Sequence, residues 1–270
     1  GCNKMRKIVL FDMDGTLTPP REKIDINVEQ CLRELQSQDF EIGIVTGSGM
    51  NYVRQQLSPM FDLSLADASR IHFLPCNGTK YILDEKIVYE MNMKDYMGDI
   101  LWHRLVSKLI RNQYNMSLEL GTALPLSGHF IDYRGSMINW CPIGRNATSS
   151  QRKEWDNIDE GNKVRLRAIE ELNVFLENCI NQIGDLALSD IEIKVKLGGD
   201  TSFDIFPKGW DKTFCLKNFK DFDQIYFIGD RCEQSGNDYE IYNHPDTISF
   251  KTVSTKNTIE IVNKILSLNV

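Results

Sequence analysis

The stretch that decides the fold is "IVLFDMDGTLTPPR", residues 8–21. Four apolar residues run straight into two aspartates, Asp12 and Asp14, one residue apart. Gly15, Thr16 and then the pair Pro19 and Pro20 follow at once. A short, continuous apolar run of this kind predicts a strand in a parallel sheet covered on both faces. Two carboxylates placed this close repel and raise each other's pKa, unless a cation sits between them or they share a proton. Gly15 lets the chain turn sharply after the second aspartate.

Outward from this strand the sequence alternates between β and α. Residues 28–38 carry Val28, Cys31, Leu32 and Leu35 at helical spacing, and "EIGIVTGS" (41–48) reads as a second strand ending in small residues. Residues 50–57 read as helix, "IHFLP" (71–75) as a third strand, and "YILDEKIVYE" (81–90) as a hairpin turning near Asp84 and Glu85. The pattern then changes. Residues 95–112 predict a long amphipathic helix with Ile100, Leu101, Leu105, Leu109 and Ile110 on one side. "HFIDYRGSMINWCPIG" (129–144) alternates apolar and polar around Arg134 and Gly135, which signals a hairpin in an antiparallel sheet with one open face. Helices over 149–158 and 162–180 and strands over 191–199 and 201–207 complete an α+β insert. The tail returns to alternation, with a helix over 210–219, strands over 224–230 and 247–253, and a last helix capped by Ser254 or Thr255. The expected architecture is an α/β doubly wound, mostly parallel core sheet with an inserted α+β cap domain containing an antiparallel sheet. The core takes residues 1–86 and 208–270, and the cap residues 87–207.

The bulk numbers narrow the function classes. At 270 residues, 41% hydrophobic and 26% charged, the composition is that of an ordinary globular protein. The net charge of -7 argues against a non-specific nucleic-acid binder. It leaves an anionic substrate open, because a local arginine cluster opposes the global sign. Seven cysteines, at 2, 31, 76, 141, 179, 215 and 232, form no CxxC pair and read as free thiols in a reducing compartment. No apolar run approaches membrane-spanning length and no leader pattern opens the sequence, so the expected location is cytoplasmic with no membrane partner. His72, His103, His129 and His244 show no ligand spacing, and Trp102, Trp140, Trp155 and Trp210 are expected in packing.

If the core sheet is parallel, the chemistry gathers at one edge, beyond the carboxyl ends of the strands. Asp12 and Asp14 follow the first strand, Thr46 and Ser48 the second, Lys212 begins a late helix, and Asp230, Asn237 and Asp238 follow the strand 225–229. Mg²⁺ there would take oxygen ligands, from Asp12, Asp230 and the Asp14 carbonyl, and keep several waters. A carboxylate held against that ion can attack a phosphoryl group. Lys212, Ser48 and backbone amides would take the phosphoryl oxygens, and Asp14 would carry protons to and from the reacting oxygen. In the insert, Arg134, Arg145 and Arg152 are candidates for a second phosphate, with Arg21 in the core and Ser202 and Asp204 in "GGDTSFDIFPKGWDK" (198–212). Taken singly, arginines in turns are more often solvated surface charges than ligand contacts.

"DMDGT", "TGS", Lys212 and "GD…GND" resemble the four motifs of the haloacid dehalogenase superfamily of phosphotransferases. "FDMDGTLTPPR", "HFIDYRGSMINWCPIGR", "GGDTSFDIFPKGWDK" and "IYFIGDRCEQSGNDYEIY" closely resemble the eukaryotic-type phosphomannomutases, over nearly the whole chain and including the insert. The resemblance implies interconversion of mannose 6-phosphate and mannose 1-phosphate, feeding GDP-mannose synthesis. It implies Asp12 as the nucleophile, Asp14 as the general acid/base, and Mg²⁺ on Asp12, the Asp14 carbonyl and Asp230. It implies sugar-phosphate contacts at Arg21, Arg134, Asn139, Arg145, Arg152, Ser202 and Asp204, a hexose 1,6-bisphosphate as activator, closure of the cap to exclude water, and a homodimer through the caps. The sequence departs from the family at Ser127 and Gly128, where an Arg-Gly pair is usual, and at "TGSG", where "GGSD" is usual. His244, between Tyr242 and Thr247, stands where the family holds a second cation partly through an acidic side chain. The segment 58–72 matches poorly. The same core motifs also fit a Mg²⁺-dependent sugar-phosphate phosphatase, and a binding protein on a degenerate fold remains the non-enzymatic alternative.

Overall fold

The computed structural model describes residues 4–63, 71–183 and 190–270. Cys2 and most of the poorly matched segment after residue 63 lie outside these. The chain divides into two compact units, Gly1–Glu90 with Gly209–Val270, and Met91–Lys208.

The first unit opens with β1 (Lys7–Phe11), α1 (Ile26–Ser37), β2 (Phe40–Val45), α2 (Met50–Gln56), α3 (Ser58–Leu63), β3 (Ile71–Leu74), β4 (Lys80–Leu83) and β5 (Lys86–Glu90). It resumes after the second unit with a 3₁₀ segment, Lys212–Asn218, then β10 (Gln224–Gly229), α8 (Tyr239–Tyr242), β11 (Ile248–Lys251) and α9 (Thr255–Leu268). The seven strands lie in the order β11-β10-β1-β2-β3-β4-β5. From β11 to β3 every pairing is parallel, while β3–β4 and β4–β5 are antiparallel. β1 sits between β10 and β2, with Phe11 opposite Ile228 on one side and Ile44 on the other.

The apolar run of β1 is explained by its two covered faces. Val9 and Phe11 join Ile42, Ile44 and Ile228 in one core layer, against Val28, Leu32 and Leu35 of α1 and Ile261, Val262 and Ile265 of α9. Ile8 and Leu10 point the other way, to Val45, Leu74, Cys215, Phe219 and Phe227. Each fully buried side chain of this size removes enough apolar surface to stabilise the fold by about 1.5–3 kcal/mol before entropy is counted. Helix ends follow local chemistry. The Asp25 side chain accepts from the Asn27 and Val28 amides at the start of α1, and Ser254, not Thr255, caps α9 through the Asn257 amide. The hairpin turn between β4 and β5 puts Asp84 and Glu85 both at positive φ, 52° and 63°.

The second unit holds α4 (Met93–Met97), α5 (Asp99–Leu120), β6 (Ile131–Tyr133), β7 (Ile138–Trp140), α6 (Ser149–Asn162), α7 (Val164–Ile183), β8 (Ile193–Gly198) and β9 (Ser202–Pro207). Its sheet is antiparallel throughout, in the order β6-β7-β9-β8. Thr148 and Gln151 form a capping box at the start of α6. Trp140 stacks on Phe203 at 4.5 Å in the core of this unit, and Trp155 is fully buried.

The structure corrects three local expectations. The long helix begins at Asp99 rather than residue 95, because Gly98 takes φ 79° and separates α4 from α5. Its buried stripe is Leu101, Leu105, Leu109, Asn112 and Met116, while Ile100 and Ile110 face outward at 62% and 58% exposure. The helix over 210–219 is a 3₁₀ segment starting at Lys212. Among the described residues no helix is long and apolar enough to cross a membrane. Among the described residues no disulfide joins Cys31, Cys76, Cys141, Cys179, Cys215 and Cys232. Burial pushes the thiols of Cys31 and Cys232 up to about 12.

Candidate active site

β1 ends where the chemistry begins. The Asp12 amide donates to the Ile228 carbonyl at 3.0 Å, so the first aspartate still rides on the edge of β10. The chain then folds back at once. The amides of Thr16, Leu17 and Thr18 all reach the Met13 carbonyl, and the Gly15 amide donates to the Thr18 carbonyl at 2.7 Å. Gly15 has φ 81°, and a Cβ there would overlap the Asp230 carboxylate. The glycine therefore serves both the turn and the close approach of Asp230.

Asp12 is 5% exposed and Lys212 1%. Lys212 Nζ donates to Asp12 Oδ1 and to Asp238 Oδ1, each at 2.6 Å. Asp238 Oδ2 accepts from the Arg231 amide at 3.1 Å. Gly229, the last residue of β10, makes room for it, since a Cβ there would lie 2.6 Å from that oxygen. Burial raises Asp12 to about 6, with Lys212 pulling it down and Asp230 adding to the rise. Burial also raises Asp238. For Lys212 burial acts downward, but the two carboxylates together outweigh it, and the ammonium stays charged.

One oxygen in this group is left over. Asp230 Oδ1 is buried without a hydrogen-bond partner. Carboxylate oxygens of Asp12, Asp230 and Asp238 lie within 4.8 Å of one another. Both oxygens of Asp238 are engaged, by Lys212 and by the Arg231 amide, and Asp12 is held at Oδ1 by Lys212 and more loosely at Oδ2 by the Thr16 hydroxyl, at 3.4 Å. Asp230 Oδ1 is the unpartnered oxygen, and Asp12 Oδ2 the next most available to a cation. An all-oxygen donor set fits a hard divalent ion such as Mg²⁺, and an orphaned buried carboxylate oxygen is what such an ion would satisfy.

Among the described residues, none of the other core residues expected at the site hydrogen-bonds to this group. Asp14 is half-buried. Its carboxylate accepts from Tyr52 Oη at 2.9 and 3.0 Å and from Thr18 Oγ1 at 3.4 Å. The Ser48 amide donates to Thr46 Oγ1 at 3.1 Å, and the Ser48 carbonyl accepts from the Cys76 amide, which fixes the loop between β2 and α2. β2 itself stops at Val45, three residues before Ser48. Asn237 is exposed, and among the described residues neither it nor Ser48 bonds to the aspartates. Arg21 is exposed with φ 65°.

In the second unit the expected contact residues divide into a connected set and an outlier. Asn139 on β7 lies opposite Asp204 on β9, and Asn139 Nδ2 donates to Asp204 Oδ1 at 2.9 Å. Arg145 donates to Asn139 Oδ1. Arg152 braces the loop below, donating to the carbonyls of Arg145 at 3.1 Å and Ala147 at 3.4 Å. Ser202 is buried at the start of β9, and its carbonyl accepts from Arg165 at 3.0 Å. Arg134 stands apart at the hairpin turn, paired at 2.9 Å with Asp132, both exposed.

Between Tyr242 and Thr247, His244 Nδ1 accepts from the Asp246 amide at 3.1 Å. Thr247 Oγ1 lies 2.7 Å from the Ile241 carbonyl. Sequence reasoning missed Tyr52 and Arg165. Tyr52 carried a faint signal, lying four residues beyond Ser48 on the helix that leaves the same loop. Arg165 carried none, since it sits in a charged helical run.

The sequence comparisons agree on one family. The family described as "Eukaryotic phosphomannomutase" matches residues 28–268. A phosphomannomutase of Drosophila melanogaster is 34% identical over 97% of this chain and 96% of its own. One of Arabidopsis thaliana is 31% identical over 93% of each chain. Among solved structures, a trehalose-6-phosphate phosphatase of Aspergillus fumigatus superposes with TM-score 0.57 at 13% identity, covering 97% of this chain and 93% of that one. At that identity the likeness is one of fold, the haloacid dehalogenase-like fold. With a family match over most of its length and full-length relatives above 30% identity, the chain belongs to the eukaryotic phosphomannomutase family and is an isomerase that moves a phosphoryl group.

Proposed function

We propose that this enzyme interconverts mannose 6-phosphate and mannose 1-phosphate through a phosphorylated Asp12. The observation that carries the reading is the environment of Asp12. Its carboxylate is buried, held by the Lys212 ammonium at 2.6 Å, and set beside the unpaired oxygen of Asp230. Bound Mg²⁺, on Asp12, the Asp14 carbonyl and Asp230, would neutralise charge on the phosphoryl oxygens and pull Asp12 back into its ionised form.

Asp12 Oδ attacks the phosphorus of a hexose 1,6-bisphosphate. The P–O bond to the sugar breaks as the O–P bond to Asp12 forms, and Asp14 gives its proton to the leaving oxygen. Lys212 and Ser48 hold the phosphoryl oxygens. Mannose 6-phosphate then offers its 1-hydroxyl. Asp14 takes that proton, the phosphoryl group returns to the sugar, and the bisphosphate forms. After the sugar turns end for end, Asp12 removes the 6-phosphate and mannose 1-phosphate remains. The phosphate that is not reacting is assigned to Arg145, with Asn139, Asp204 and Ser202 on the sugar, Arg152 supporting Arg145, and Arg134 and Arg21 as further cations. Mannose 1-phosphate would serve GDP-mannose synthesis in the cytoplasm. A homodimer through the cap would cover the outward Ile110, Tyr114 and Leu118 of α5, each more than half exposed.

The test is ³¹P NMR of the protein with Mg²⁺, mannose 6-phosphate and a catalytic trace of glucose 1,6-bisphosphate. Bisphosphate-dependent growth of the 1-phosphate signal supports the mutase. Inorganic phosphate as the sole product would replace it with a phosphatase.

A further inference from the structure

Asp14 is placed by a stiff loop, yet its carboxylate is aimed by another element. The main chain of residues 13–18 is stitched by four short backbone bonds and by a bridge between Asp14 and Thr18. What that leaves undetermined is the side-chain torsions of Asp14, and those decide where a proton is given or taken. The Tyr52 hydroxyl is within hydrogen-bond reach of both carboxylate oxygens, at 2.9 and 3.0 Å. The Thr18 hydroxyl, at 3.4 Å to one oxygen, is a weaker second donor.

Tyr52 is suited to hold a direction. Its ring is rigid beyond two torsions, it packs against the core layer that contains Met50 and Val53, and it stands on α2. α2 begins two residues after Ser48, so one short helix leads from the expected phosphate-holding loop to the group that grips Asp14. Burial and the Asp14 carboxylate raise the pKa of the hydroxyl, against an opposing pull from Arg21, so it stays protonated and able to donate.

We propose that Tyr52 is a positioning residue for the reaction, holding the Asp14 carboxylate in the orientation from which it exchanges protons with the sugar oxygen. It acts through Asp14 and touches no reacting atom. The inference rests on the reading of Asp14 as the general acid/base. A donor that fixes a catalytic side chain acts on turnover more than on substrate affinity, because its effect is felt in the transition state.

The experiment compares the unmodified enzyme with Tyr52→Phe, which keeps the ring and loses the hydroxyl. Each is assayed with mannose 6-phosphate, Mg²⁺ and a trace of glucose 1,6-bisphosphate, with products followed by ³¹P NMR. Tyr52→Phe should lower kcat about tenfold with KM within about twofold. A kcat for Tyr52→Phe within about twofold of the unmodified enzyme would overturn the inference. So would a rise in KM as large as the fall in kcat, since the hydroxyl would then serve substrate binding rather than the aim of Asp14. The product of the unmodified enzyme separately tests the mutase reading. If it is inorganic phosphate, the same comparison is made on phosphate release, where Asp14 has the same task and the same kcat loss is expected.

Discussion

Lys212 Nζ lies 2.6 Å from Asp12 Oδ1 with both side chains almost fully buried, and the same ammonium binds Asp238 at the same distance. One cation thus holds two carboxylates, Asp12 directly after β1 and Asp238 directly before α8. Removing it strands both. Lys212→Met is expected to cost about 3–5 kcal/mol of folding stability, the usual effect of taking one partner from a buried ionic group. Denaturant unfolding in the absence of divalent cations checks this, and a loss below about 1 kcal/mol would contradict it.

A second buried polar group, remote from the site, predicts a pH dependence. His72 on β3 bonds to Tyr81 Oη at 2.6 Å and to Glu41 at 3.0 Å, and Phe219 and Phe222 flank its ring. Burial lowers its pKa, against the opposing pull of Glu41, with Arg6 and Asp84 as the further charges acting on it. The neutral ring is therefore favoured in the folded state, and below the ordinary value of about 6.5 the unfolded chain binds more protons. Stability from this group is complete above that pH and falls as the pH drops below it. Asp12, raised to about 6, carries the opposite sign, so the test is a difference. Thermal midpoints measured from pH 7.5 to about 5 should fall more for the unmodified protein than for His72→Gln. Parallel curves would refute the assignment.

Arg145 is the arginine of the second unit whose side chain is tied to the Asn139 and Asp204 pair. Arg145→Ala should raise the KM for mannose 6-phosphate by about ten- to a hundredfold, the loss of one charge-assisted bond, with a smaller change in kcat. Steady-state kinetics at saturating bisphosphate measure it, and an unchanged KM would remove Arg145 from the binding residues.

Arg165 predicts a structural effect in the same unit. Its guanidinium is 2.5 Å from Asp159 Oδ2 and donates to the carbonyls of Gly199 and Ser202, at 2.8 and 3.0 Å. It joins the end of α6 and the start of α7 to the turn before β9. Arg165→Met should destabilise the protein by about 3–5 kcal/mol, read as a lowered unfolding midpoint. A midpoint equal to that of the unmodified protein would show the pair to be dispensable.

The sequence carried the core well because its strands announce themselves. Residues 8–11, 42–45 and 225–228 are continuous apolar runs, and each is followed by small or acidic residues at the sheet edge. The meeting of Asp12 and Asp230 follows from the adjacent parallel strands β1 and β10, whatever the sequence distance between them, while Lys212 and Asp238 reach it from the segments that lead into a 3₁₀ turn and into α8. Periodicity was less informative on α5. Ile100 and Ile110 are as apolar as Leu101 and Leu109, so composition alone does not tell a core face from a face left open. The 3₁₀ segment at Lys212 was hidden because helical spacing over seven residues does not distinguish it from an α-helix. Tyr52 bonds to a partner 38 residues away, and Arg165 adds to its near partner Asp159 two carbonyls 34 and 37 residues away; such distant pairings have no local pattern to read.

The central claim is that Asp12 carries the phosphoryl group. The protein, incubated with Mg²⁺ and glucose 1,6-bisphosphate, quenched in acid and digested, should yield a peptide containing Asp12 that bears one phosphoryl group by mass spectrometry. Asp12→Asn should be folded, inactive and unlabelled. Full bisphosphate-dependent turnover with no label at Asp12, or normal activity in Asp12→Asn, would contradict the account.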